Sequence, residues 1–289
     1  MPAFSQLRAF HYLLQSIKPK RTTFSTAMPA PLPISVPIIA SNEARNLPRL
    51  LASVHGWVAE IVVVLNNTTD NSAEIARSYG ARVETSSWLG YRDTKNLALG
   101  FVTQPWVLAL DADEEVSPAL KTDILNFFAT AQADSFSGAR FPRKVWFLGR
   151  WITHGDWYPD LSLRLFKHSS GKWAGSAEHD SIQLEGPVTR LEGDLYHFSN
   201  PTISSHVQKM VVFSDYFLKR QLEAGKTEAS ILQIISRPAW RFFRAYILRA
   251  GFLDGFPGLY IAFSTAFSTF IRYCRLYEHV TPKTPSGHN

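Results

Sequence analysis

From Ile34 onward the chain alternates short apolar runs with segments in which apolar residues recur at helical spacing. "ISVPIIA" reads as a strand, and "SNEARNLPRLLASV" behind it as a helix with Leu47, Leu50, Leu51 and Val54 on one face. "EIVVVL" is a second strand, rich in β-branched residues, followed by the turn "NNTTDN" and the helix "SAEIARSYG", which Gly80 is placed to end. "ARVETS" predicts a third strand, "DTKNLALGFV" a third helix and "WVLALDAD" a fourth strand. The next helix opens on Ser117 as N-cap with Pro118 in the first helical position. Such βα alternation builds a parallel sheet covered on both faces, so the predicted class is α/β.

The texture then changes. "ARFPRKVWFLGRW", "LSLRLFKH" and "TRLEGDLYHF" are strand-like and separated by glycines, prolines and aromatics, as in antiparallel sheet. From Ile203 the pattern turns helical, with "HVQKMVVFSDYFLKRQLEAG" amphipathic and stopped by Gly225. The last segment is crowded with Phe, Tyr and Trp, and carries no charge between Gly255 and Ile271, about 17 residues, the short end for a spanning helix. Pro257, Gly258 and its Ser and Thr residues favour an interfacial, monotopic hairpin instead. Asp254 lies inside this apolar stretch, where Arg249 is its expected partner.

With 289 residues, 45% hydrophobic and 19% charged, the chain has enough apolar material for a large core and is not of disordered composition. A single cysteine, Cys274, excludes an internal disulfide and any cysteine-built zinc cluster. The formal net charge of +6 suits an anionic partner, and its distribution selects among them. No acidic residue precedes Glu43, and Arg237, Arg241, Arg244, Arg249, Arg272 and Arg275 are interleaved with apolar residues near the C-terminus, a pattern for an anionic membrane surface rather than nucleic acid. The first 33 residues lack a continuous apolar core of signal-peptide length.

The densest chemistry is "WVLALDADEE", an apolar strand ending in four carboxylates. Residues two apart on a strand share a face, which would put Asp111 and Asp113 about 6 to 7 Å apart. Two such charges call for a cation, and hard oxygen ligands select Mg²⁺ or Mn²⁺, ions that complete their shells with water and substrate phosphate. A calcium loop of the EF-hand type is disfavoured, because Val116 stands where glycine is required and Thr122 where a bidentate glutamate is. Glu114 and Glu115 read as favouring the N-terminus of the next helix.

In their order, "PIIASNEARNLPRLLASV", "EIVVVLNNTTDNSAEIARSYGARV", "DTKNLALGFVTQPWVLALDADEEVSPAL", "LSLRLFKH…GKWAGSAEHD" and the tail "YILRAGFLDGFPGLYIAFSTAFSTFIRY" resemble family 2 glycosyltransferases. The subgroup they most resemble is the bacterial lipopolysaccharide core enzymes that add glucose to a heptose. The likeness covers roughly residues 34–278 and implies a GT-A-type domain over 34–200; composition and pattern add a basic extension over 1–33 and a helical, membrane-facing region over 201–289. It implies a nucleotide-sugar donor, UDP-linked, a divalent cation and inversion at the anomeric carbon. By position, Ala40, Asn42 and Glu43 would line the nucleoside pocket, Asn66 would read the base and Lys95 would approach base or phosphate. Asp113, assisted by Asp111, would hold the metal, with Asp111 and Ala112 also against the donor and Arg164 neutralising phosphate or pairing with Asp160. Asp180 is the candidate general base, Glu178 the reserve, and His179 an orienting or metal-contacting residue. Asn42 reads equally as a helix N-cap.

The acceptor implied is a cell-envelope glycolipid such as lipopolysaccharide inner core, reached from the cytoplasmic face of the inner membrane. Two rivals share the front half: a transferase using polyprenyl phosphate as acceptor, and an inactive polysaccharide-assembly scaffold. Trp146, Trp151, Trp157 and Trp173 are candidate sugar-stacking faces, with core packing the commoner use.

Overall fold

The computed structural model describes residues 30–176, 179–199, 202–225 and 230–281. Most of the expected basic extension therefore lies outside the described residues, as do Glu178 and the side chain of His179. The first strand starts slightly earlier than the pattern indicates, with β1 at Leu32–Ala40. It continues through α1 (Leu47–Val54), β2 (Val58–Asn66), α2 (Ser72–Ser78), β3 (Arg82–Ser86), α3 (Tyr91–Gly100) and β4 (Trp106–Leu108). The strands β3-β2-β1-β4 lie side by side in that order and pair in parallel, as expected of a GT-A-type sheet.

The unbroken apolar runs are explained by burial on two faces. Along β2, Ile61, Val63 and Leu65 join the core under α1, while Val62 and Val64 point to the opposite cluster with Ala98, Leu99 and Val102. Leu47, Leu50, Leu51 and Val54 of α1 are all fully buried, each worth roughly 1.5–3 kcal/mol. Gly80 ends α2 in the left-handed region, at φ 74°, with its N–H on Arg77 O and that of Ala81 on Ala76 O.

After β4 come β5 (Glu114–Val116), α4 (Pro118–Ala129), α5 (Gln132–Ser135), β6 (Gly138–Phe147), β7 (Arg150–Trp151) and β8 (Asp160–Lys167). Then follow β9 (Gly171–Ser176), β10 (His179–Leu184), β11 (Val188–Arg190) and β12 (Leu195–His197). The sheet runs on from β4 through β8, β6 and β12 to β5, with β4-β8, β8-β6 and β12-β5 antiparallel; β9 and β10 form a separate hairpin. Ser117 caps α4 as expected, its Oγ accepting from Leu120 N at 3.1 Å.

Three readings need correction here. The fourth strand stops at Leu108, so Asp111 and Asp113 stand on a turn, closed by Glu114 N–H donating to Asp111 O at 3.0 Å. Glu114 is not a solvated helix-end charge but a fully buried strand residue. It lies 3.2 Å from Arg164 on β8 and 3.4 Å from Arg143 on β6, and accepts from Asp111 N at 2.9 Å. Asp160 pairs with Arg143 at 2.6 Å, not with Arg164.

The C-terminal region contains α6 (Ile203–Glu223), α7 (Ile231–Phe243) and α8 (Gly255–Val280). Helices α7 and α8 pack on each other as a hairpin, and no helix among the described residues is long and apolar enough to cross a membrane. Asp254 is buried, accepts from Thr153 N and His154 N at 3.0 and 2.8 Å, and lies 3.5 Å from Arg150. Arg249, its expected partner, goes instead to Asp156 at 3.2 Å, because two backbone N–H groups already satisfy the buried carboxylate.

Two outcomes are expected in unfolding experiments. Glu114→Gln keeps the acceptor for Asp111 N but removes the charge facing two arginines, and denaturant melts should show a loss of about 3 kcal/mol. Gly258→Ala would bring a Cβ within 1.9 Å of Gly251 O at the mouth of the hairpin, and thermal melting should report a loss of about 1–3 kcal/mol.

Candidate active site

The carboxyl ends of β1 and β2 and the turn after β4 meet at one edge of the parallel sheet, where open α/β folds bind ligands. A cleft of about 620 Å³ opens there. Of the residues singled out in the sequence, Ala40, Glu43, Asn66, Lys95, Asp111, Ala112, Asp113 and Asp180 line it. Asn42 and Arg164 do not, and each has a structural task.

Asn42 sits in the left-handed region at φ 55° and its Oδ1 accepts from Thr69 N at 2.8 Å and Asp70 N at 3.3 Å. It is thus neither a helix cap nor a cleft wall, but a clamp between the loops after β1 and β2. Glu43 is held by Asn46 Nδ2 at 2.8 Å. Burial raises its carboxyl above the ordinary value; the bond from Asn46 opposes that, while the charges of Asp113 and Asp70 add to it.

Asn66 is 2% exposed at the end of β2. Its Nδ2 donates to Ser86 O at 3.0 Å, Ser86 Oγ at 2.7 Å and Ser87 O at 3.3 Å. Two of these acceptors are carbonyls, so the amide nitrogen must face them, and this fixes the orientation of the group. Its Oδ1 is left buried with no partner among the described residues. An orphaned acceptor at a cleft wall costs about 1–3 kcal/mol until a donor arrives.

The DxD turn divides its charges. Asp111 Oδ1 is 2.8 Å from Lys95 Nζ and Oδ2 is 2.7 Å from Arg164. Burial alone would raise this carboxyl, but Arg164 and Lys95 outweigh it and hold it well below the usual carboxylate range. Arg164 itself, 6% exposed, is pushed upward: burial opposes its charge, but Asp111 and Glu114 favour it more strongly. Asp113 faces the cleft with His197 Nε2 of β12 at 3.5 Å from its Oδ2. Burial raises Asp113 as well, and the hydrogen bond and charge of His197 more than reverse it.

Lys95 Nζ also lies 2.8 Å from Asp180 Oδ2 on β10, and 4.3 Å above the Trp173 ring. This lysine, only 11% exposed in its side chain, is no solvated helical charge; it ties the candidate base to the DxD turn. Trp173 is buried beneath Lys95, whereas Trp88 and Tyr91, packed edge to face at 4.9 Å, form the exposed aromatic rim of the cleft.

His197, Arg143 and Lys209 line the cleft without having been signalled by the sequence. No local motif marks them. His197 arrives because β12 pairs with β5, register His197 to Glu114. Among the described residues no three His, Cys, Asp or Glu side chains are grouped to hold a metal. Asp113 and His197 offer one hard oxygen and one imidazole beside open cleft, a mixed donor set that fits Mn²⁺ better than the oxygen-preferring Mg²⁺ when water and phosphate oxygens supply the other positions.

Residues 35–176 match glycosyl transferase family 2. An uncharacterized glycosyltransferase of Rickettsia typhi is 30% identical over 254 residues, covering 85% of this chain and 87% of the relative. The lipopolysaccharide core biosynthesis glycosyltransferase LpsC of Rhizobium meliloti is 29% identical over 254 residues, covering 86% of this chain and 93% of LpsC. Among solved structures, S. aureus TarS 1–349 in complex with UDP-GlcNAc is a distant likeness, at a TM-score of 0.46 and 15% identity over 84% of this chain and 83% of that one. The chain is a glycosyltransferase and belongs to family 2.

Proposed function

We propose that the enzyme is an inverting, divalent-metal-dependent transferase that moves a hexose, glucose in this reading, from a UDP-sugar to a cell-envelope glycolipid of the lipopolysaccharide inner-core type. The observation that carries the proposal is the content of one cleft. It holds an orphaned amide oxygen suited to a base, a carboxylate and imidazole pair suited to a metal diphosphate, and a carboxylate suited to an acceptor hydroxyl. The name of the Rhizobium relative supports the choice of acceptor.

Each residue has a task in this scheme. Asn66 Oδ1 accepts from a ring N–H of the base, which favours uracil, thymine or guanine over bases without one. Asp113 and His197 would hold Mg²⁺ or Mn²⁺, whose chemistry is to neutralise the charge that develops on a departing nucleoside diphosphate. Asp180 takes the proton of the acceptor hydroxyl as its oxygen bonds to the anomeric carbon and the carbon–oxygen bond to the diphosphate breaks. Attack opposite the leaving group inverts the configuration. Lys95 touches neither sugar carbon nor proton in this account; it positions Asp180 and Asp111 relative to each other.

The reaction is placed at the cytoplasmic face of the inner membrane, with the protein peripheral or monotopic. Support comes from the hairpin surface, where Ile231, Leu232, Ile235, Trp240, Phe243 and Phe256 are exposed near Arg237, Arg241 and Arg244.

Nucleotide release from UDP-, GDP- and dTDP-sugars, with and without Mn²⁺, is expected to be metal-dependent and greatest for the uridine donor. Asp113→Ala should cut transfer by about 10³-fold or more and remove the Mn²⁺ dependence of UDP binding; full activity refutes the metal assignment. Asp180→Asn should retain UDP binding and lose about 10²- to 10⁴-fold in turnover. Unchanged turnover would transfer the role to Glu178 or favour an acceptor, such as polyprenyl phosphate, that is already anionic.

A further inference from the structure

A second cavity, about 570 Å³, lies between α6, α7 and α8. Lys209, Arg220, Arg237, Arg241 and Arg272 line it, and among the described residues no acidic side chain does. Asp156 stands behind it and must serve Arg241, Arg244 and Arg249, at 2.9, 3.5 and 3.2 Å. Arg220 has no acidic partner among the described residues, and Arg272 has none either and leaves its Nε buried with no hydrogen-bond acceptor. Burial, with repulsion from Arg241 and Arg220, pulls the Arg272 guanidinium below its ordinary value. Thr265 and Ser268 add hydroxyls from α8. Arg220 and Arg272, guanidinium groups with spare donors and no acidic partner among the described residues, offer the chemistry of a phosphate site.

The cavity shares a wall with the active-site cleft. Lys209 and Phe213 line both. On α6, Lys209, Phe213, Phe217 and Arg220 recur at helical spacing, so one face of this helix serves both hollows. Lys209 and Arg220 are separated by about 16 Å of helix, which sets the scale of the distance from the shared wall to the far cations of the cavity.

We propose that this cavity binds a phosphoryl group carried by the acceptor, holding an anionic lipid-linked saccharide so that its hydroxyl reaches Asp180 across Lys209 and Phe213. The assignment rests on the glycolipid acceptor argued above. A donor-only function for the cavity is disfavoured, since the cleft already contains the groups that meet base and diphosphate.

The test uses the full chain and inorganic phosphate as probe, with UDP and Mn²⁺ first titrated to saturate the cleft. Phosphate should bind the UDP-loaded enzyme, and Arg220→Gln/Arg272→Gln should weaken it about tenfold or more while UDP affinity stays unchanged. Equal phosphate affinity in the two proteins overturns the proposal. Failure of UDP to bind would instead refute the proposed function, and the phosphate titration would still read the second cavity. Sedimentation with phosphatidylglycerol or phosphatidylcholine vesicles separates the sources of phosphate. Loss of phosphatidylglycerol binding in the variant, with no binding of free phosphate by the wild type, assigns the arginines to bilayer headgroups and overturns the pocket. Thermal melting checks the fold, and the single variant Arg220→Gln, at an exposed position, should show a weaker loss of the same kind.

Discussion

The structure depends on neutralising the acidic turn Asp111 to Glu115. Two unit charges about 4 Å apart interact by about 4 kcal/mol at an effective dielectric near 20, so four carboxylates in five residues cannot be buried without counter-charges. Those come from five different elements: Arg49 on α1, Lys95 on α3, Arg164 on β8, Arg143 on β6 and His197 on β12. The turn therefore closes only when the parallel and antiparallel parts of the sheet are joined. Desolvation largely offsets the Coulomb gain of such a cluster, so its main product is position rather than net stability. Asp111 has both oxygens engaged by the protein, and Asp113, facing one imidazole, is the carboxylate with coordination capacity to spare.

Much of the fold was legible because its signals are local. The β-branched run of β2 and the spacing of Leu47, Leu50, Leu51 and Val54 encode buried faces directly, and Ser117 and Gly80 mark helix ends by their own chemistry. The charged residues were harder because their partners are distant in sequence. Glu114 resembles a helix-end acid until β6 and β8 bring two arginines to it. Arg164 has Asp160 nearby in sequence, but strand pairing gives Asp160 to Arg143 and Arg164 to Asp111. Likewise His197 lies in an unremarkable strand, and only its register against β5 makes it part of the cleft.

The same reasoning explains where the site's selectivity is placed. Groups that must hold a shape, Asn42 and Glu114, have their hydrogen-bonding capacity consumed inside the protein. Groups facing the cleft keep capacity in reserve: Asn66 has a free acceptor oxygen and Asp113 an incomplete shell. Burial makes that reserve specific, because a ligand lacking the matching donor leaves the desolvation cost unrecovered.

Helix α6 extends this logic beyond the sheet. Its face meets the cleft at Lys209 and Phe213, then carries Arg220 to a cavity where cations outnumber acids. A cavity built only to pack three helices would be filled with apolar side chains, since guanidinium groups without partners carry a desolvation cost and repel one another. Helices α7 and α8 instead carry Arg237, Arg241 and Arg272 on the cavity wall and leave Ile231, Leu232, Ile235 and Phe256 exposed, so an apolar surface and a cationic hollow belong to the same helices. An acceptor with an apolar anchor, an anionic group and a free sugar hydroxyl meets all three features in that order, from the exposed hairpin to Asp180.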